Sequence, residues 1–419
     1  MEQINRENYL HKLIDSCGNG MIKVVTGMRR CGKSYLLFTI FKDYLLSHGI
    51  PANHIVEVDL ENRLNKSLRD PDALLHHIYD RLSDDGRYYV LLDEVQLVPE
   101  FEDVLNSFLK VRNVDVFVTG SNARFLSKDV ITEFRGRGDE IRIHPLTFRE
   151  FSLFRGNISE ATIREYMLYG GLPQVVLEPN TEKKENYLKQ QMERTYLRDL
   201  KERHDIQQDD DLRDLVSIMA SCVGSLTNPP KIAATFRTEK QHSLSVDTIR
   251  QYLEYMEDAF ILERSIRYDI KGRRYINSPY KYYFEDLGLR NARLGFRQTE
   301  ESHLMENLLY NELRACGFSV DVGQIYTEHK TEDNHRQRQT LEVDFVCNRG
   351  YRRVYIQSAY AMPTEAKQDQ ELASLRKLRD GFRRIVITGG LQPTHMNDDG
   401  VFIVNLQDFL TSPERFIDA

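Results

Sequence analysis

The chain has 419 residues, with 57 Lys and Arg against 64 Asp and Glu, for a net charge of −7. At about 150 residues per domain it has room for about three domains, and its charge excludes a histone-like polycation, so any nucleic-acid surface must be a local patch. A mean hydropathy of −0.52, no long apolar run, a charged N-terminus and five scattered cysteines without a CxxC pair exclude a helical span, a secretory signal, a zinc ribbon and a disulfide framework. The expectation is a multidomain cytoplasmic protein with no membrane contact.

The first third alternates strand-like and helical runs. Strands are expected at Met21–Thr26, His54–Leu60, Tyr88–Leu92 and Val114–Thr119, and helices at Ser34–Ser47, Ala73–Leu82 and Phe101–Val111. That alternation predicts an α/β domain with a parallel sheet over residues 1–155. Between the first strand and helix lies Gly27-Met28-Arg29-Arg30-Cys31-Gly32-Lys33-Ser34-Tyr35, which contains GxxxxGK[ST] in the required setting. Such a loop wraps backbone N–H groups of Gly27, Arg29, Arg30, Cys31 and Gly32 around phosphates, with Tyr35 just inside the helix. Lys33 reaches the β- and γ-phosphates of ATP, and Ser34 ligates Mg²⁺.

The third strand runs straight into Asp93-Glu94. Asp93 suits the Mg²⁺ side of a nucleotide site and Glu94 the attacking water, so the pair favours hydrolysis over mere binding. After the fourth strand come Thr119, Gly120, Ser121 and Asn122, where Ser121 is the candidate γ-phosphate sensor and a turn is the alternative. Arg135 and Arg137 sit in a glycine-rich segment. Arg137 is the candidate arginine finger for a neighbouring subunit, which requires a homo-oligomer; a solvated turn is equally open.

Residues 156–298 read as a helical segment ending in a winged-helix pattern. Tyr187–His204 is a charged helix whose Arg194, Arg198 and Lys201 read as a solvated face, and Ser245–Ala259 is a capped amphipathic helix. Two strand-like pieces follow, Ile261–Tyr268 and Tyr280–Glu285, joined by a basic, tyrosine-rich loop with Arg267, Lys271, Arg273, Arg274 and Lys281. Basic groups neutralise phosphates and tyrosines stack, so DNA contact by Arg267, Lys271, Arg273 and Arg274 is one reading. An internal protein-packing adaptor is the other.

Residues 299–419 restart with helix Ser302–Cys316, strand Ser319–Val322, a polar loop Thr327–Arg338, strands Thr340–Cys347 and Arg353–Ala359, helix Ala366–Arg379 and strand Arg384–Thr388. This order resembles the restriction-endonuclease-like PD-(D/E)xK fold. Glu306 fits its helix acid and Asp344 its strand acid, with Glu342 beside it, but Gln357 and Ala359 replace the third acid and the lysine. Losing a carboxylate and an ammonium removes most of the electrostatic catalysis, so a degenerate site is expected. Lys367 lies downstream as a candidate replacement.

Taken in order, GMRRCGKS, LLDEVQLVPEFEDVLN, TGSNARFL, EFRGRGDEIRIHPLTFREF, LYGGLPQVV, TYLRDL, YLEYMEDAFIL, KYYFEDLGLRNA and LEVDFV resemble a widespread prokaryotic family of AAA+-like P-loop ATPases. The resemblance spans nearly the whole chain. It implies an ATPase with a winged-helix and nuclease-like C-terminal portion, without naming a substrate. The function expected is Mg²⁺-dependent ATP hydrolysis driving a switch or motor, with DNA as one partner. An ATP-dependent nuclease and a nucleotide-gated scaffold are the alternatives.

Overall fold

In the computed structural model, residues 4–120, 136–206, 209–239, 243–330, 336–390 and 392–417 are described. They fall into two units, one of residues 1–145 with 258–260, the other of residues 146–257 with 261–419. Among the described residues no helix is long and apolar enough to cross a membrane.

Among its described residues the first unit holds five strands: β1 (Ile22–Thr26), β2 (Ile55–Asp59), β3 (Tyr88–Asp93), β4 (Val114–Gly120) and β5 (Gly138–Arg142). All pair in parallel, in the order β2-β3-β4-β1-β5. Strands β1 and β3 are buried along their whole length, which explains their unbroken apolar runs. Helices Pro71–Tyr79 and Phe101–Phe108 pack Leu74, Ile78, Val104 and Phe108 against one face of the sheet. The first begins where Asp70 caps the Ala73 N–H at 2.9 Å and proline occupies the first helical position. The order sets the site. Strand β4 lies between β1, which carries the phosphate loop, and β3, which carries the acids.

The second unit opens with a capping box, in which the Thr147 hydroxyl accepts from the Glu150 N–H and the Glu150 carboxylate accepts from Thr147. Among the described residues from 148 to 258 the regular elements are helices, from Phe148–Arg155 to Val246–Asp258. Gly170 and Gly171 punctuate them for a steric reason: a Cβ on Gly171 would come within 2.2 Å of the Leu146 carbonyl. The buried Asp286 carboxylate accepts from the Gly171 N–H at 2.8 Å and the Leu289 N–H at 3.0 Å.

Eight strands form one mixed sheet: β6 (Leu262–Asp269), β7 (Arg274–Phe284), β8 (Ser319–Lys330), β9 (Arg336–Arg349), β10 (Arg352–Ala359), β11 (Arg383–Thr388), β12 (His395–Met396) and β13 (Phe402–Asn405). Their order is β12-β13-β11-β10-β9-β8-β6-β7. Helix Glu301–Ala315 precedes β8, and helix Glu365–Leu372 joins β10 to β11 in the parallel crossover expected of such a connection.

Three expectations change here. Of the polar stretch 327–338, read as a loop, residues 327–330 and 336–338 instead lengthen the β8–β9 pairing, with Thr327 opposite Gln339 and Lys330 opposite Arg336. An unbroken polar run offers no apolar period of two to read, yet backbone pairing does not require one. The boundary expected near residue 298 falls inside one sheet, because β6 pairs in parallel with β8. Likewise the basic loop is mostly strand: β7 starts at Arg274, leaving a short turn after Asp269.

Candidate functional site

The end of β1 turns sharply at Gly27 (φ 141°), and the loop closes at Gly32 (φ 101°). A Cβ on Gly27 would lie 2.1 Å from the Ile143 carbonyl, so only glycine fits. The loop is fastened from behind. Arg6 donates to the Cys31 carbonyl at 3.0 Å and the His144 carbonyl at 2.8 Å, and the Cys31 thiol faces the Ile143 carbonyl at 3.7 Å. Cys31 is fully buried, so its side chain is packing and only its backbone remains for the phosphate role.

Helix residues 33–47 follow, with Lys33 in the first turn. Its Nζ donates to the carbonyls of Gly27 (2.9 Å) and Met28 (3.0 Å), so the ammonium sits inside the loop and is nearly buried. Arg29 pairs with Glu61 at 2.9 Å, while Arg30 and Tyr35 are exposed.

The acids arrive from β3. The Ser34 hydroxyl donates to Asp93 Oδ1 at 2.9 Å, joining loop and acidic strand directly. Thr119 at the end of β4 donates to the same oxygen, and its hydroxyl accepts from the Glu94 N–H at 2.9 Å. Burial pushes the Asp93 carboxyl up; the Thr119 and Ser34 hydrogen bonds oppose this, and Glu94 and Asp59 add to it. Glu94 adopts φ 52°, a left-handed conformation costing a non-glycine residue about 1–2 kcal/mol. Such strain at a strand end aims the carboxylate away from the strand, where Gln96 donates to it.

Gly27, Gly32, Lys33, Ser34, Asp93 and Glu94 are therefore gathered at one end of the sheet. Ser121 lies outside the described residues, and Thr119 is a polar β4 residue whose hydroxyl meets the Asp93 carboxylate and the Glu94 backbone N–H. Arg137 is not gathered with them. It is exposed, and its carbonyl accepts from the Ile22 N–H at 2.9 Å, so β1 separates it from the loop by roughly 13 Å of strand. The arginine that topology brings level with the loop is Arg142, paired with Thr26 and lying 5.0 Å from the Phe260 ring centre.

The nuclease-like residues also converge, around a residue the sequence reading assigned elsewhere. Lys281, counted as a basic-loop cation, points from β7 into the second unit, with 4% of its side chain exposed. Its Nζ lies 2.8 Å from Glu306, 2.8 Å from Glu342 and 3.3 Å from Asp344. Tyr283 donates to Glu306 at 2.7 Å, and the Ser358 N–H to the other Asp344 oxygen at 2.9 Å. Burial opposes the ammonium, but Glu306, Tyr283, Asp344 and Glu342 together hold it well above its ordinary value. Burial likewise raises Glu306, against the pull of Lys281. Gln357 accepts weakly from the Asp344 N–H at 3.4 Å and donates to Glu371 at 3.3 Å, while Lys367 pairs with Glu371 at 2.6 Å. A fixed ammonium among three carboxylates does not fit a divalent-cation site, because it already occupies the space and repels the ion. Lys367 does not supply the missing lysine either; it serves Glu371.

Of the four residues expected to contact nucleic acid, Arg267 is committed elsewhere. It donates to the Pro279 carbonyl and Gln324 Oε1, both at 3.0 Å, and to the Ser278 carbonyl. Arg274 is exposed and lies 3.5 Å from Asp269. Lys271 and Arg273 are exposed and line a large cavity of the second unit.

Residues 19–152 match the family model described as AAA domain, and residues 160–300 match a domain of unknown function. An uncharacterised protein of Haemophilus influenzae is 32% identical over 97% of this chain and 98% of its own length. An uncharacterised protein of Methanocaldococcus jannaschii is 28% identical over 85% of this chain and 78% of its own. Among solved structures, the Aeropyrum pernix ORC1 protein in complex with DNA is 14% identical, covering 70% of this chain and 93% of that one at a TM-score of 0.30. The N-terminal unit is thus an AAA domain with a P-loop.

Proposed function

We propose that this chain, which belongs to the same family as the Haemophilus influenzae protein, is a Mg²⁺-dependent ATPase whose turnover drives a switch or motor acting on DNA. The observation that carries this reading is the 2.9 Å hydrogen bond from Ser34 to Asp93, with Glu94 beside it. The donor set fits the ligand. Gly27, Arg29, Arg30, Cys31 and Gly32 offer loop N–H groups, and Lys33 exchanges two neutral carbonyl partners for phosphate oxygens. Ser34 and Asp93 would hold Mg²⁺, whose positive charge would favour the ionised form of the desolvated Asp93. Glu94 would take the proton from the attacking water, and Thr119 fixes the distance between the two acids. An arginine-finger role for Arg137 is open only toward a second copy's nucleotide, because β1 holds it away from its own loop.

Three helices, Asp209–Ser221, Pro229–Glu239 and Val246–Asp258, followed by the β6–β7 hairpin, support a winged-helix reading, with the Thr227–Tyr280 bridge as its short third strand. Exposed Lys271, Arg273 and Arg274 on that hairpin support DNA as the partner. The helix, three strands, helix and strand of residues 301–388 support a nuclease-like ancestry. The ammonium of Lys281 speaks against nuclease chemistry.

Phosphate release from ATP with Mg²⁺ tests the proposal. Lys33→Ala should lose both ATP binding and release. Glu94→Gln should keep binding while release falls about 10²–10⁴-fold. A wild-type protein that releases no phosphate, with or without DNA, refutes the motor and leaves a scaffold.

A further inference from the structure

We propose that a basic cleft in the second unit binds single-stranded nucleic acid, holding its phosphates on lysines and arginines and stacking its bases on Tyr351 and Phe382. The cleft has a volume of about 1100 Å³ and is walled by three separate turns. Lys271 and Arg273 come from the turn between β6 and β7, Arg352 and Arg353 from the start of β10, and Lys377 and Arg379 from the segment before β11. Among the described residues of the lining Asp380 is the sole carboxylate, and it accepts a hydrogen bond from Tyr355 at 2.7 Å. In a chain with more acids than bases, this concentration of one sign repels itself unless an anion lies between.

The cations divide into two groups. Arg353 is fixed: it donates to Asn348 at 2.7 Å and lies 5.0 Å from the Tyr268 ring and 5.6 Å from the Phe382 ring. Arg376 at the rim is fixed too, by Asp369 and Asp399, each at 2.7 Å. Lys271, Arg273, Lys377 and Arg379 are exposed, and among the described residues none of them has an ion-pair partner. They are the groups available to phosphates.

Shape and aromatics decide the strandedness. Duplex readers insert a convex helix or ribbon into a groove about 12 Å wide; here the cations line a concavity. Tyr351 is 88% exposed and Phe382 39%, large apolar surfaces left open beside phosphate-binding groups. Unpaired bases have free faces to cover such rings, and paired bases do not. The inference rests on the nucleic-acid half of the proposed function and is independent of the ATP half.

The test is fluorescence anisotropy of labelled dT20 with the full chain, in EDTA and without nucleotide, so that P-loop chemistry cannot contribute. Phosphate release is measured separately on the same preparation, which keeps the two failures distinct. Binding should weaken with salt, by a log–log slope of about −0.7 per phosphate held. Joint Lys377→Ala and Arg379→Ala substitution should weaken it at least tenfold and flatten the slope by about 1.4. Tyr351→Ala should cost about tenfold with little change in slope. The proposal is overturned if dT20 does not bind, if a hairpin duplex binds more tightly, if tripolyphosphate competes as well per phosphate, or if these variants bind like wild type. Melting curves of the variants confirm folding, since all three positions are exposed.

Discussion

Replacing Lys281 with Met tests the buried charge cluster most directly. The substitution keeps the aliphatic stem and removes the one cation that faces Glu306, Glu342 and Asp344 within 2.8–3.3 Å. Breaking a buried pair by deleting one partner costs about 3–5 kcal/mol, because the other charge stays buried and uncompensated. Two features place the value near the lower end. Glu342 is partly exposed and can turn toward water, and Glu306, already raised by burial, takes up a proton once the ammonium is gone. About 3 kcal/mol in a unit of this size lowers the melting temperature by roughly 5 °C. The deficit should be larger at pH 8 than at pH 6, since a raised carboxyl group contributes stability at low pH that is lost as pH rises through its folded value. Adding Glu306→Gln to Lys281→Met should recover at least half of the loss. Calorimetry and urea melts at both pH values read all of this. If Lys281→Met melts within 2 °C of wild type at pH 8, or the double variant is no better than the single, the cluster is not a neutralised core. Mn²⁺ offers a second check: it should raise the melting temperature of Lys281→Met and leave wild type unmoved.

Three other outcomes follow from the geometry. Thr119→Val removes the hydroxyl that joins Asp93 to the Glu94 backbone; a hydrogen bond to a charged group contributes about 1.5–3 kcal/mol, so phosphate release should fall about 10–100-fold with ATP affinity little changed. Glu312 is buried, accepts from the Phe148 N–H at 2.7 Å, and is pushed up to about 8 by burial, so it is largely protonated at neutral pH. Its stabilisation is complete below pH 4.5 and declines until pH 8, so Glu312→Gln should gain on wild type in melting temperature across that window and hold level above it. Arg267→Ala strips three acceptors on two segments, and should lower stability by about 2 kcal/mol while changing dT20 affinity less than twofold.

Residues 27–35 were legible because a phosphate loop is contiguous and its strand and helix flank it within a few residues. Asp93 and Glu94 were legible because an apolar strand ending in acids has one simple use beside such a loop. Lys281 was not, since its partners lie on a helix and a strand reached only through tertiary folding, and a lysine among tyrosines looks like a surface cation. Arg267 misled for a related reason: counting charges ignores backbone carbonyls, which take two of its three hydrogen bonds. Thr119 drew no notice because a β-branched residue at the end of an apolar strand reads as ordinary strand content. The cleft cations came from three distant stretches, each unremarkable in isolation, and only the sheet order brings them together.

The seam between β6 and β8 governs how this chain can be cut or recombined. It is short, running from Arg267–Asp269 to Val322–Gln324, yet it closes a sheet whose strands lie on both sides of residue 298. A fragment ending at residue 298 would carry Lys281 without its carboxylates and leave β6 with a bare edge, prone to pair with other copies. The complementary fragment would bury Glu306 and Asp344 with no cation to meet them. A chimera between relatives must therefore move β6 and β7 together with everything after residue 300, and its natural crossover point lies near residue 145.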